Sequence, residues 1–317
     1  MKCNKAFRES LLTVIGLIVV NGLFVSVTKA DQLTTITPVY IDANRVIYSE
    51  EKSITRYIGA VTTVREGLEV KSDELVVYSN EQGGVEKLVA LGNPTYIKQM
   101  SQDGQYIDFR SESLQADYFP EKSLWVLTQK AVAWKPRDQL RIKGDKIELF
   151  NNNGQLEEMV AQGKPTTIRK LLPNSDSVDY TSESLKVHYL PQQSLLTLTE
   201  KAVAWQPAEK LRIKGDQIDI FFHDDNRVKK MTSYGRPSRV RKLSLIDDQE
   251  EFRSKSLRTD YFPGELFILT KNAVVWKDDG TYVGEKIEYD LETKIAKAVS
   301  EPKSKKRVRV ILQPQNK

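Results

Sequence analysis

The sequence predicts an all-β protein made of stacked repeats, and three observations lead to this prediction. Apolar and charged residues alternate with a period of two, as in residues 140–149, which read Leu-Arg-Ile-Lys-Gly-Asp-Lys-Ile-Glu-Leu. Such alternation is typical of a strand with one buried and one exposed face. Whole blocks of sequence recur at a fixed interval, with glycine, proline and asparagine between them. No stretch of residues 31–317 shows the 3.6-residue period of an amphipathic helix.

The first 30 residues differ in kind from the rest and predict a signal peptide. Lys2, Lys5 and Arg8 precede an apolar run over residues 11–27, and small residues end the segment, which predicts cleavage after Ala30. The run also approaches the length of a spanning helix, so a retained anchor is the alternative. Cys3 lies in this leader without the neighbours that a lipoprotein signal needs.

Residues 31–317 are predicted to form a single elongated repeat domain. Blocks beginning at residues 124, 195 and 266 recur with a spacing of 71, and each is followed by an Ala-Val-x-Trp block. A Leu-x-x-x-x-Asp block and a Gly-x-Pro block recur in the first three units, and the four units span about 38–99, 109–170, 180–242 and 252–312. Because one unit cannot cover its own apolar face, neighbouring units must stack around a continuous interior.

Composition narrows the function. Apolar residues make up 39% of the chain and charged residues 29%, which suits a soluble core-forming protein and not a multi-span membrane protein. The leader carries a net charge of +3 of the total of +5, so residues 31–317 carry +2, which argues against a nucleic-acid partner. Since Cys3 is the only cysteine, the mature part has no disulfide, thiolate metal site or cysteine nucleophile.

The motifs resemble the OstA-like superfamily, which includes the periplasmic lipopolysaccharide transport bridge protein LptA. The resemblance covers nearly all of the mature chain, in family order. It rests on residues 38–42 (Pro-Val-Tyr-Ile-Asp), 57–61 (Tyr-Ile-Gly-Ala-Val), 65–67 (Arg-Glu-Gly), 91–95 (Leu-Gly-Asn-Pro-Thr), 99–100 (Gln-Met), 269–273, 284–287 and 306–310. Two features depart from the family: the number of units is about double, and Glu66 stands where glutamine is usual.

The resemblance implies a fold and a set of partners. The fold is a twisted, V-shaped antiparallel β-jelly roll that holds acyl chains of lipopolysaccharide between two sheets. Family members stack head to tail through edge strands, which accords with strand addition to an unpaired edge. They join an inner-membrane LptC-like component to an outer-membrane LptD-like translocon in the periplasm. We expect passive transfer along the groove, with energy supplied elsewhere and no cofactor.

The predicted acyl-chain groove is lined by the apolar members of the alternating strands and by a recurring tyrosine. The family resemblance points to the positions nearest the N-terminal mouth and to residue 97, where an aromatic residue is usual. The predicted residues are Thr35, Val39, Ile41, Leu68, Val70, Leu75, Val77, Ile97, Tyr118, Ile142, Ile147, Tyr189, Ile213, Ile218, Tyr261 and Ile287. Ordinary sheet core is the alternative for each of them.

Two kinds of aromatic residue recur with the repeat. Tyr118, Tyr189 and Tyr261 each close an inward-facing row, and a phenol suits a boundary between acyl chains and polar headgroups, although repeated packing is the alternative. Trp134, Trp205 and Trp276 are interpreted mainly as repeat packing, because stacking alone requires identical spacing.

The sequence does not predict an enzyme. His188 and His223 are the only histidines and share no motif with a nucleophile or carboxylate. Asp145 and Asp216 follow glycine, as turn-forming carboxylates do, and no metal-ligand cluster or phosphate-binding loop is present. No catalytic or metal-binding residue is therefore predicted.

The basic C-terminal segment over residues 303–309 alternates and predicts a last edge strand, whose charges could discourage unwanted pairing or attract acidic groups. Two alternatives to a soluble carrier stay open. A membrane-anchored relay of the same pathway applies if residues 11–27 are retained. A structural β-solenoid scaffold without lipid cargo applies if the interior is filled.

Overall fold

The computed structural model describes residues 38–300 and 307–312, and the described residues form 18 strands. The strands are β1 (Tyr40–Asp42), β2 (Arg45–Ser49), β3 (Ile54–Arg65), β4 (Leu68–Ser79), β5 (Val85–Met100), β6 (Ile107–Phe119), β7 (Leu124–Lys135), β8 (Leu140–Asn152), β9 (Gln155–Leu171), β10 (Val178–Leu190), β11 (Leu195–Gln206), β12 (Leu211–Phe222), β13 (Val228–Leu243), β14 (Glu250–Phe262), β15 (Leu266–Lys277), β16 (Gly280–Asp290), β17 (Ala296–Val299) and β18 (Arg309–Leu312). Two short 3-10 turns, Pro120–Lys122 and Pro191–Gln193, lie 71 residues apart. The all-β prediction is confirmed.

The strands form an antiparallel meander in which each strand from β3 to β16 pairs with the next. β1 and β2 both pair with β3 at one end, and β17 and β18 both pair with β16 at the other. β18 begins at Arg309, so the predicted edge strand at the C terminus is present, although residues 303–306 lie outside the described part of the chain.

The turns predicted at Asp145 and Asp216 are wrong, because long strands run through these positions. Gly144-Asp145, Gly215-Asp216 and the Gly-x-Pro elements lie within β8, β12, β5, β9 and β13, where the pairing register shifts. The side chains of Asp73 and Asp216 accept hydrogen bonds from the backbone N–H groups of Asn93 and Arg236 at 3.1 and 3.2 Å. The recurring aspartates therefore shape bulges and not turns, and a bulge bends a strand without ending its ladder.

The bulges divide the sheet into two halves. Sheet half I contains the paired segments 61–65, 68–71, 95–100, 110–112, 131–135 and 140–143 and their equivalents further along the chain. Sheet half II contains 54–58, 74–78, 88–91, 115–119, 124–128 and 146–149 and their equivalents. Each long strand therefore contributes to both halves.

The two halves pack against each other through their inward-facing side chains. Phe252 in half I lies 4.7 Å from Tyr289 in half II between ring centroids, and Tyr180 in half I lies 6.2 Å from Phe222 in half II. The turn that follows β12 also reaches the turn that follows β7, where Asn226 Nδ2 donates a hydrogen bond to the Arg137 carbonyl oxygen at 3.3 Å. The apolar core therefore lies between the halves, bounded on one side by the bulges and on the other by the turns.

Candidate lipid groove between the two sheet halves

The interior is built from the alternation seen in the sequence. Ile142 in half I and Ile147 in half II are fully buried, whereas Arg141 and Lys146 beside them face outward. Cross-strand neighbours continue each row, so that Ile142 pairs with Ala133 and Ile168, and Ile147 with Leu127 and Ala161. Burying one large aliphatic side chain contributes about 1.5–3 kcal/mol, so the facing rows stabilise the contact between the halves.

The structure brings most of the predicted groove residues together in this interior. Those that are buried are Val70, Leu75, Val77, Ile97, Ile142, Ile147, Tyr189, Ile213, Ile218, Tyr261 and Ile287. Ile41, Leu68 and Tyr118 are partly buried against the same core, and Val39 is 47% exposed just before β1. Thr35 lies outside the described residues. Contact with lipid stays a prediction for all of them.

The interior differs between the N-terminal unit and the later units. Large apolar side chains that line it near β1–β6 are only partly buried, namely Ile41, Tyr57, Leu68, Leu88 and Tyr118. Their counterparts further along, including Tyr189, Leu198 and Tyr261, are at most 3% exposed. The interior is therefore more accessible near β1–β6 than across the middle of the meander, and Tyr282 in β16 is again only partly buried.

Three polar clusters, which we call clasps, join the halves at the side where the turns lie. In the first clasp Asp108 of half I binds Lys135 Nζ and accepts a hydrogen bond from the Leu156 backbone N–H of half II at 2.7 Å. In the second clasp Asp179 of half I lies beside the Gln206 side chain and the Val228 backbone of half II, and its Oδ2 is buried without a hydrogen-bond partner.

The third clasp is centred on Glu251 of half I. Its carboxylate binds Lys294 Nζ and accepts a hydrogen bond from Tyr289 Oη of half II at 3.3 Å. Asp108, Asp179 and Glu251 each precede an aromatic residue and recur with the repeat. The sequence held this signal, but alternation alone did not reveal that these acids bind across the interior.

Two of the recurring tyrosines bridge the halves. Tyr189 of half II donates a hydrogen bond to the Asp138 carboxylate in the turn after β7, and Tyr261 donates one to Gln206 Oε1 at 2.9 Å. Burial raises the pKa of both phenols, so they remain neutral donors. The prediction that these tyrosines close inward-facing rows is confirmed.

Buried charges accompany the second clasp. Burial lowers the pKa of Lys170, which donates a hydrogen bond to the Asp138 carbonyl oxygen at 2.5 Å. Burial also raises the pKa of Asp179, and this effect outweighs the opposing effects of the Lys170 charge and of the Gln206 and Val228 groups beside the carboxylate. These groups are desolvated only while the halves are in contact, so separation of the halves would return them to water.

The three recurring tryptophans lie outside the interior. Trp134, Trp205 and Trp276 are half-buried on the outer face of half I, opposite the side that packs against half II. Interpretation as repeat packing missed this placement, because identical spacing does not distinguish the inner from the outer face.

Neither histidine lies in a site built for chemistry. His188 lies on the outer face of half II with Nε2 at 2.8 Å from Glu158, and His223 lies in the turn after β12. Among the described residues, no group of three or more His, Cys, Asp and Glu side chains could hold a metal ion. Within residues 38–300 and 307–312, no helix has the length and apolar character needed to cross a membrane.

One family of known proteins matches most of the chain. The family described as "LptA/(LptD N-terminal domain) LPS transport protein" matches residues 40–141, 136–212 and 208–295. A similar solved structure is the crystal structure of LptH, described as the LptA homologous periplasmic component of the conserved lipopolysaccharide transport device from Pseudomonas aeruginosa. It has 17% identity and a TM-score of 0.35, over 40% of this chain and 82% of that chain. No curated protein sequence matches the chain.

Proposed function

The chain belongs to the family of LptA and LptD N-terminal domain lipopolysaccharide transport proteins, and we propose that it shields the acyl chains of lipopolysaccharide between its two sheet halves. The family is one of transport proteins, so the expectation that the chain is not an enzyme is confirmed. The observation that carries the proposal is the continuous apolar interior, which is partly open at its N-terminal end.

Acyl burial supplies the driving force for binding. Each CH₂ group removed from water contributes about 0.8 kcal/mol, and the interior offers aliphatic and aromatic side chains along its length. Across the middle of the meander lining side chains such as Tyr189, Leu198 and Tyr261 fill the interior, so the halves must separate there to admit acyl chains. The clasp contacts then hold the halves together in the empty protein and break when acyl chains enter. Loading that starts among Ile41, Leu68 and Tyr118 meets the least resistance.

The pathway role extends this proposal to partners. A protein of this fold in the periplasm, where the signal peptide predicted at residues 1–30 would direct it, would bridge an inner-membrane LptC-like component and an outer-membrane LptD-like translocon. β1 and β2 at one end and β17 and β18 at the other are short strands with an unpaired side among the described pairings. Such edges accept a neighbour's strand, which supports head-to-tail association.

The test places a photo-crosslinking phenylalanine analogue at Tyr118 or Tyr189, where it replaces one aromatic ring by another. The matched controls carry it at Asp117 or His188, the adjacent residues on the outer face of half II. We expect lipopolysaccharide adducts at Tyr118 and Tyr189 in cells and none at the controls. Equal adduct formation at all four positions, or none at any, would contradict carriage in the interior.

The filled interior of the later units favours one second candidate, a structural scaffold without cargo. The same experiment separates the two. An adduct at Tyr118 alone would limit carriage to the part of the interior up to β6, with the strands beyond it acting as a scaffold. Adducts at both tyrosines would assign carriage to the original and the added units.

A further inference from the structure

The outer face of sheet half I carries a continuous row of arginine and tryptophan side chains. The cross-strand register places these residues directly opposite one another on successive strands from β6 to β15. The row reads Arg110, Trp134, Arg141, Arg169, Thr181, Trp205, Arg212, Arg241, Arg253 and Trp276. It is the outward-facing row nearest the turns, so it lies along the same edge of half I as the clasps but on the opposite face.

A second row runs beside the first on the same face. It reads Glu112, Val132, Lys143, Thr167, Glu183, Val203, Lys214, Arg239, Lys255 and Val274. The first row contains six basic side chains and the second contains four, whereas the two rows together contain two carboxylates. The outer face of half I is thus strongly basic, although residues 31–317 carry a net charge of only +2.

The outer face of half II shows the opposite arrangement. Several of its carboxylates are neutralised by neighbouring cations, with nitrogen–oxygen distances of 2.8 Å for Lys87 and Asp117, 2.7 Å for Lys146 and Glu148, and 2.9 Å for Arg258 and Asp260. The basic surface of half I is therefore a local feature and not the general composition of the sheet.

The charge is densest on β12–β14. Arg212, Arg241 and Arg253 lie opposite one another in the first row, as Lys214, Arg239 and Lys255 do in the second. Glu250 offsets part of this charge, with oxygens 3.0 Å from Arg241 Nε and 3.6 Å from Arg253 Nε. Like charges directly opposite on adjacent strands destabilise a sheet, so folding alone does not account for this cluster. A bound polyanion would relieve the repulsion.

Trp205 and Trp276 flank the cluster. Around Trp205 lies a groove of about 380 Å³, lined in part by Val203, Leu243, Lys210 and Arg212. Trp205 faces the small Thr181 in the register where Trp134 faces Arg110 and Trp276 faces Arg253. The guanidinium of Arg253 stacks over Trp276 at 5.2 Å. The groove at Trp205 therefore has room beside its indole for a flat ligand.

We propose that the basic cluster on β12–β14, with the groove at Trp205, binds the phosphorylated saccharide headgroup of a glycolipid. Arginine pairs bind phosphate oxygens in a bidentate manner, and an indole offers an apolar face to a sugar ring. The inference rests on the proposed function, because acyl chains that pass between the halves at the turn side would present their headgroup beside this row. The headgroup is held while the chains exchange.

The twist of the sheet favours separate headgroups over a flat membrane surface. Adjacent strands are about 4.8 Å apart and rotate by roughly 20–25°, so tryptophans four strands apart lie about 19 Å apart and differ in direction by about 80–100°. A planar bilayer cannot contact all three tryptophan positions at once. Individual headgroups can occupy each position in turn.

The test compares two triple variants of equal charge. Arg212→Gln, Arg241→Gln and Arg253→Gln remove the first-row charges of the cluster, whereas Lys164→Gln, Lys186→Gln and Lys229→Gln remove three exposed charges elsewhere. The probe is a soluble disaccharide that carries two phosphates and no acyl chains, titrated by calorimetry. We expect the cluster variant to lose at least tenfold in affinity and the control variant to change less than twofold. Loss of repulsion should leave the melting temperature of the cluster variant unchanged or raised, which verifies that it folds.

Three further results would overturn the inference: saturable binding of the dephosphorylated disaccharide with equal affinity, equal weakening by both triple variants, or stronger binding to anionic phospholipid vesicles than to the disaccharide. Photo-crosslinking at Tyr189 separates this inference from the proposed function. If the wild type does not bind the disaccharide and the cluster variants keep the full Tyr189 adduct, carriage is supported. The headgroup site is then wrong. Cluster-dependent disaccharide binding without an adduct at either Tyr118 or Tyr189 would support the headgroup site and contradict carriage.

Discussion

Asp108 shows how one side chain can hold the two sheet halves together. Its carboxylate is 2% exposed, binds the buried Lys135 ammonium within half I and accepts the Leu156 N–H of half II at 2.7 Å. Replacing Asp108 with alanine leaves a buried cation and a buried N–H group without their acceptor. Breaking a buried ion pair in this way costs about 3–5 kcal/mol.

We therefore expect Asp108→Ala to lower the free energy of unfolding in urea by about 3–5 kcal/mol. The matched control is Glu74→Ala, which breaks the exposed pair with Arg56 and should cost about 0.2–1 kcal/mol. Similar losses for the two variants would show that the first clasp adds no more than a surface pair.

Two buried acids predict opposite pH dependence. Burial raises the pKa of Asp260, but hydrogen bonds from Arg258, Lys230 and Thr232 outweigh it, so the pKa lies below its ordinary value. Its stabilising contribution is present above the unfolded-state pKa of about 3.9 and is lost as pH falls through the folded pKa. Burial raises the pKa of Asp179, so its contribution is present below about 3.9 and is lost as pH rises through the folded pKa.

We expect Asp260→Asn to be less stable than the wild type at pH 7, by about 1–3 kcal/mol, with a difference that shrinks in acid. Asp179→Asn should lose much less at pH 7, with a difference that grows in acid as the wild-type carboxyl takes up its proton. Urea denaturation at pH 7, 5 and 3 measures both. Parallel pH profiles for the two variants would contradict these assignments.

At the scale of the strand, the bulge is the feature that the sequence expressed ambiguously. A Gly-Asp pair between alternating segments is typical of a turn, yet β8 and β12 continue through it, because the ladder resumes beyond the register shift. At Gly215 an added Cβ would lie 2.6 Å from the Tyr234 carbonyl oxygen on the neighbouring strand. The glycine is thus explained by a close approach of two backbones.

Gly215→Ala should destabilise the protein by about 1–3 kcal/mol, since the paired strand must move away. Ser72 occupies the equivalent place in β4 and already carries a Cβ, so Ser72→Ala should change stability by less than about 0.5 kcal/mol. Thermal unfolding of the two variants compares them directly. An equal change in melting temperature would show that the bulge at Gly215 adapts freely.

Alternation in the sequence was sufficient to predict which side chains face inward, because the side-chain period of a strand is two. Ile142, Ile147, Tyr189 and Tyr261 all lie where the pattern places them. The clasps could not be predicted in the same way. Asp108 and Leu156 are 48 residues apart, and their contact depends on how the bulges fold half I onto half II. The sequence repeat indicates the strand register within each unit, but it does not indicate how half I packs onto half II.

At the scale of the whole molecule, the two ends of the meander expose apolar strands. Val310, Ile311 and Leu312 in β18 are 47%, 52% and 72% exposed, and Val46 and Tyr48 in β2 are 55% and 67% exposed. Exposed apolar edge strands favour pairing with another chain. Together with the proposed head-to-tail association, this predicts self-association that depends on concentration.

Val310→Lys with Ile311→Lys should weaken self-association at least tenfold, because charged edges resist pairing. The control is Ile246→Lys, in the turn after β13, where the side chain is 96% exposed and belongs to none of the end strands. Sedimentation velocity over a concentration series measures the association of each variant. Unchanged association in the double variant would place the contact elsewhere.

Carriage in the later units requires the halves to separate, and a disulfide across the turn side tests this requirement. Asn226 and Arg137 lie in turns of opposite halves and are joined by a hydrogen bond of 3.3 Å. Turns can adjust to the Cα separation of 4.4–6.8 Å that a disulfide needs.

The double variant Arg137→Cys and Asn226→Cys, made with Cys3→Ser, contains no other cysteine. When oxidised, it should lose the lipopolysaccharide adduct at Tyr189 and keep the adduct at Tyr118, which lies on β6, before both linked turns along the chain. Reduction should restore the Tyr189 adduct, with mass spectrometry reporting the state of the bond. Full labelling at Tyr189 in the oxidised protein would show that acyl chains travel lengthwise from the N-terminal end without separating the halves.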